Sequence, residues 1–116
     1  MPNATYQQAV ALKALGMPQD VWPQLVWAAW EGNVPVLDYW YEVIEGTDWC
    51  AAPNVIDAIL WVLGTEAGER IWEQYVGLFV YRDGGCDLRS TSGSWGMDAD
   101  TPSDLLDKVL AAVKEA

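Results

Sequence analysis

The chain has no histidine, and only six lysines and arginines face 17 aspartates and glutamates. Without histidine it lacks the side chain that most often shuttles protons near neutral pH, and also the commonest transition-metal ligand. The formal charge of −11 opposes direct contact with DNA, RNA or anionic membrane, all of the same sign. Cysteine is scarce as well. Cys50 and Cys86 show no CxxC spacing, and two thiols without histidine cannot close a tetrahedral zinc site. They could pair in an oxidising compartment, but free, buried thiols are the expectation here. No uncharged apolar run approaches the roughly 20 residues of a membrane-spanning helix. Met1–Gln8 holds no basic cluster followed by an apolar stretch, so a secretion signal is not expected and a cytoplasmic location is.

What the chain does have is apolar bulk. Hydrophobic residues make up 52% and charged residues 20%, a balance that suits a folded protein and not a disordered one. The length of 116 residues fits a single acidic α+β domain spanning 1–116, with room for a real core. Eight tryptophans supply large contact areas for a core or for a partner's surface.

Local signals divide the chain. Thr5-Tyr6-Gln7-Gln8 has capping-box form, and good helix formers follow to Leu15. Gly16 suits a left-handed cap, with Pro18 just beyond. This predicts a weakly amphipathic helix over 5–15. Leu25–Trp30 and Val36–Ile44 have strand composition around a Glu31-Gly32-Asn33 turn, and Glu45-Gly46-Thr47-Asp48 closes the pair. Val55, Ile56, Ile59, Leu60 and Leu63 recur at helical spacing up to Gly64. Trp72–Arg82 and Cys86–Thr91 read as a hairpin around Asp83-Gly84-Gly85, and Ser92–Asp100 reads as a loop. Thr101 and Pro102 open a last helix with a stripe of Leu105, Leu106, Val109, Leu110 and Val113. The expected fold is therefore α+β, a four-stranded antiparallel sheet with helices packed on one face, in the order α-β-β-α-β-β-α.

Three stretches carry a resemblance. They are Tyr6-Gln7-Gln8-Ala9-Val10-Ala11-Leu12-Lys13-Ala14-Leu15-Gly16, then Ala51-Ala52-Pro53 leading into the Ile56–Leu63 helix with Trp61, then the final capped helix after a two-strand segment. In that order the chain resembles a group of small uncharacterised proteins of gut-bacterial phages and mobile genetic elements. The group has a similar opening helix and an Ala-Pro-led helix carrying a tryptophan. The chain departs from it in a less charged middle helix and a higher tryptophan content. The resemblance implies a phage or mobile-element origin and an α+β fold, and it brings no catalytic or binding residues with it.

Catalytic constellations are poorly supported. Cys86 follows a Gly-Gly turn but has no histidine beside it, and Asp83 and Asp87 would raise its pKa. Ser90, Ser92 and Ser94 lack a histidine base too. Asp38 with Glu42, and Glu66, Glu69 and Glu73, are the pairs and clusters a strongly acidic chain produces on solvated faces. Asp98, Asp100 and Asp104 invite a calcium reading, but the spacing is not that of an EF-hand, and helix capping accounts for Asp104. No glycine pattern suits a nucleotide phosphate. The expectation is a protein that is not an enzyme and has no metal or cofactor.

The tryptophans then carry the functional reading. Trp27, Trp40, Trp61 and Trp72 fall where core or sheet-face packing is the default, while Trp22, Trp30 and Trp49 flank turns and stay undecided. Trp95 sits in a glycine-containing loop beside Met97, either as an exposed anchor or as a plug for one end of the core. The leading expectation is a protein-interaction module that uses Trp95, Met97, Asp98 and Asp100. One version is a phage or mobile-element accessory or counter-defence protein whose acidic surface occupies a basic, nucleic-acid-binding groove on a host protein. The alternative is a small-molecule binding domain with an aromatic-lined pocket.

Overall fold

A computed structural model describes residues 3–19, 25–29, 35–39, 48–72, 75–90 and 96–115. The protein is α+β. The described residues fall in two compact units, Met1–Asn54 and Val55–Ala116.

The first unit opens with α1 (Tyr6–Ala14), whose ends are both built as the sequence foretells. The Thr5 hydroxyl accepts from the Gln8 amide, and the Gln8 side chain accepts from the Thr5 amide. At the other end Gly16 takes φ +95°, its N–H donating to Lys13 O while Met17 N–H donates to Leu12 O. That is a Schellman cap, and Met17 and Leu12 are both buried, as the accompanying apolar contact requires. Three strands follow: β1 (Leu25–Ala29), β2 (Val36–Tyr39) and β3 (Asp48–Ala51). The sheet is antiparallel in the order β2-β1-β3, so the first strand is central, and Trp27 lies opposite both Leu37 and Cys50. α1 packs along β3. The segment before α1 is strapped down by Ala4 N–H donating to Pro53 O at 2.7 Å and Trp27 Nε1–H donating to Ala4 O at 2.8 Å.

The second unit begins with α2 (Val55–Leu63) and α3 (Glu66–Trp72). Thr65 joins them: its hydroxyl donates to Val62 O at 2.7 Å and accepts from Gly68 N–H at 3.0 Å. Next come β4 (Tyr75–Val80), β5 (Cys86–Ser90) and β6 (Gly96–Ala99), an antiparallel meander in the order β4-β5-β6. The β4–β5 turn falls at Asp83-Gly84-Gly85, with Tyr81 N–H donating to Gly85 O and Gly84 N–H to Tyr81 O. Last is α4 (Pro102–Glu115), capped by the Thr101 hydroxyl accepting from the Asp104 amide. Its stripe of Leu105, Leu106, Val109 and Val113 is buried, and α4 packs against α2, β5 and β6. Among the described residues no helix is long and apolar enough to cross a membrane.

Two expectations are corrected. The described strands form two three-stranded sheets, not one of four strands, and the order is α-β-β-β-α-α-β-β-β-α. The additional strands β3 and β6 have four residues each, too few for alternation to show, and β6 contains Gly96 and Asp98, both depleted in strands. Trp72 ends a helix and does not begin a strand. The acidic first turn of α3, Glu66 and Glu69, favours that helix through the dipole. Of the strand read over 36–44, the part beyond Tyr39 lies outside the described residues, as do Trp22, Trp30, Trp40 and Trp95.

The outer edges of β3 and β6 are closed by side chains. In an antiparallel edge strand every second residue turns its N–H and C=O away from the sheet. On β3, Trp49 O accepts from Lys13 Nζ and Ala51 N–H donates to Gln19 Oε1. On β6, Asp98 O accepts from Lys108 Nζ of α4.

Candidate functional site

Tyr6, Val10, Lys13 and Ala14 follow one another at the i, i+4, i+7, i+8 spacing of a single helix face. They form one wall of an open groove of about 320 Å³, with Trp27 of β1 and Trp49 and Cys50 of β3 as the rest. Ala9 and Leu12, on another side of α1, are fully buried. α1 thus carries apolar residues on two sides, one in the core and one in the groove. Val10 remains 45% exposed.

The rings are held in place. Tyr6 meets Trp27 edge-on, with centroids 6.1 Å apart and planes at 72°. The Trp27 indole N–H is spent on Ala4 O, which fixes its plane. Lys13 Nζ donates to Trp49 O at 2.6 Å and lies 5.7 Å from the centroid of the Trp49 ring. Cys50 is buried against this groove, and burial pushes its thiol pKa up, with Lys13 opposing in part. The thiol is therefore held neutral, a poor nucleophile. The groove can grip a flat ring, and it brings no base to any nucleophile.

The residues singled out from sequence fare differently. Trp95 lies outside the described residues. Met97 pairs with Leu88, itself paired with Leu78, in the row next to Cys86 and Ala99 on the side where Leu88 and Cys86 are buried. Asp98 pairs with Asp87, and Asp87 with Phe79, on the opposite face. Met97 and Asp98 therefore point to opposite sides of the sheet. Asp100 is exposed at the bend before α4. Among the described residues no three aspartate, glutamate or cysteine side chains gather as a metal site.

The Asp98 face has its own order. Tyr81 Oη donates to Asp87 Oδ2 at 2.8 Å and accepts from Arg89 Nη2 at 2.6 Å, and Arg89 stands 5.2 Å from the Phe79 ring centroid. Phe79 is 43% and Tyr81 42% exposed, and Asp87 Oδ1 is buried with no hydrogen-bond partner among the described residues. Behind this face, Cys86 is free and buried. Its thiol pKa is raised by burial first, then by Asp87 and Asp104, against Lys108. Asp87 acts as its sequence position suggests, and Asp104 takes the part foreseen for Asp83.

The sequence does not single out Tyr6, Val10 and Lys13 as site residues, and it leaves Trp49 undecided between core and surface. The legible signal was the second apolar stripe on α1, which made the helix look merely weakly amphipathic. Comparison with protein-family models, with curated proteins and with solved structures finds no match to this chain.

Proposed function

We propose that the protein is a non-enzymatic binding domain whose aromatic groove takes a small, flat, aromatic ligand. The observation that carries this reading is the groove itself: Tyr6, Trp27 and Trp49 around about 320 Å³, with Trp27 Nε1 already hydrogen-bonded inside the protein. That volume is near the lower end of small-molecule sites, which span roughly 300–1,000 Å³ and are lined mostly by apolar and aromatic side chains. Calorimetric titration with indole, a neutral planar probe, tests it. Saturable binding that is lost in Trp49→Ala, with the melting transition of the variant retained, supports the reading. Absence of binding, or binding equal in the variant, overturns it.

A second reading rests on the exposed sheet face of the second unit. There the exposed Phe79 and Tyr81 share a face with the exposed Asp98, while Asp87 is taken up by Tyr81 and by Arg89 at 3.6 Å. This suits a basic protein partner, and with a phage or mobile-element origin the partner would be a host protein with a nucleic-acid-binding groove. Pull-down at low and high salt, with wild type and Asp98→Lys, tests it. Capture lost with salt and with the charge reversal favours this reading, and capture indifferent to both removes it.

A further inference from the structure

We infer that the aromatic groove selects a carboxylate-bearing aromatic ligand, with Lys13 as the residue that recognises the anion. The inference rests on the groove reading above and names the ligand's charge.

The argument begins with the charge inventory. Residues 1–54 contain six acids and one basic residue, Lys13, and that lysine lines the groove. An ammonium has three N–H donors. One of them goes to Trp49 O. Among the described residues nothing else takes the other two, which can meet a ligand atom lying over the Trp49 ring, whose centroid is 5.7 Å from Nζ. The remaining wall residues, Tyr6, Val10, Ala14, Trp27, Trp49 and Cys50, bring ring faces, aliphatic surface and a neutral thiol, and no second charge.

The same geometry argues against a cation. An aromatic groove in an acidic protein would ordinarily suit a positive ligand through the ring quadrupole. Here Lys13 already holds the position over Trp49, so a second cation would meet like charge and would have to displace a hydrogen-bonded one. The protein's net charge opposes an anion from a distance. At physiological salt that field is screened over about 8 Å, whereas Lys13 would touch the ligand directly. The local contact decides.

Three probes with one ring system test the inference: indole-3-acetate, indole-3-acetamide and tryptamine, titrated calorimetrically into the whole chain. Indole-3-acetate is expected to bind about 10-fold tighter than the amide, the size of one charge-assisted hydrogen bond, with tryptamine weakest. The advantage should shrink as salt is raised. In Lys13→Met, which keeps an apolar stem, the acetate should lose its advantage while the amide changes less than about 2-fold. A thermal melt of the variant measures the cost of the lost Trp49 O bond separately. Equal affinity for acetate and amide, tightest binding of tryptamine, or an equal loss for all three in Lys13→Met overturns the anion inference and leaves the groove reading intact. No binding of any probe, or binding unchanged in Trp49→Ala, overturns the groove reading itself.

Discussion

The two units cover a three-stranded antiparallel sheet in contrasting ways. In the second, α4 collects Leu105, Leu106, Val109 and Val113 on one stripe, and the stripe is buried. In the first, α1 spreads its apolar residues over two sides. Ala9 and Leu12 enter the core, while Tyr6, Val10 and Ala14 face a groove. A cleanly segregated helix spends its apolar surface on stability. A poorly segregated one leaves some at the surface, where it is available to a ligand.

The sharpest break in this comparison would come from truncating each helix. Leu106→Ala should cost about 2–5 kcal/mol, because the side chain is fully buried and the site can collapse only in part. Val10→Ala, at a half-exposed groove position, should stay within about 0.5 kcal/mol. Equal costs in urea melts would show that α1 is as much a core helix as α4.

Next in size is the α2–α3 junction. A Cβ added at Gly68 would fall 2.0 Å from the Val62 carbonyl oxygen, and a backbone atom cannot swing away. Gly68→Ala should destabilise by about 1–3 kcal/mol through overpacking, despite alanine's better helix propensity. A stabilised variant in the same melts would refute the close approach.

The caps give a smaller and more even effect. Thr5→Ala and Thr101→Ala each remove a side-chain acceptor from a helix N-terminus and should each cost about 1 kcal/mol. Thr5 also closes a reciprocal box with Gln8, so its loss should not be the milder of the two. The reverse ranking would mean that α1 draws little on its cap.

The smallest effect concerns the thiols, one in each unit. Burial raises both above the ordinary value of about 8.5. The folded chain therefore keeps thiol protons that the unfolded chain releases. Stability from this source is whole below about pH 8.5 and is lost as pH rises through the raised values. Between pH 8 and pH 10 the melting temperature should fall less steeply in the Cys50→Ala, Cys86→Ala double variant than in wild type. Identical slopes would remove the thiols from the account.

What could be read from the sequence was set by local chemistry. Thr5 with Gln8, Gly16, Thr101 with Pro102, and Asp83-Gly84-Gly85 each determine their own turn, and each is found where expected. β3 and β6 are illegible because they are short and held by neighbours: in β3 Trp49 alone is a strong strand former, and Asp48 and Ala51 are strand residues through pairing with Ala29 and Val26, not through propensity. The site was harder still. Lys13 and Trp49 lie 36 positions apart and meet only when β3 returns beside α1. Met97 and Asp98, adjacent in sequence, are divided by the alternation of the strand that contains them.

The lysines and the glutamine that close the edges of β3 and β6 have a consequence for assembly. A strand from another molecule would need the outward carbonyls of Trp49 or Asp98 and the outward amide of Ala51, and these are already engaged. Each sheet can thus be extended from one side at most. A continuous sheet made by joining two remaining edges would end in a closed edge on both sides, so no single sheet grows past the first addition, while each molecule keeps the open edge of its other sheet.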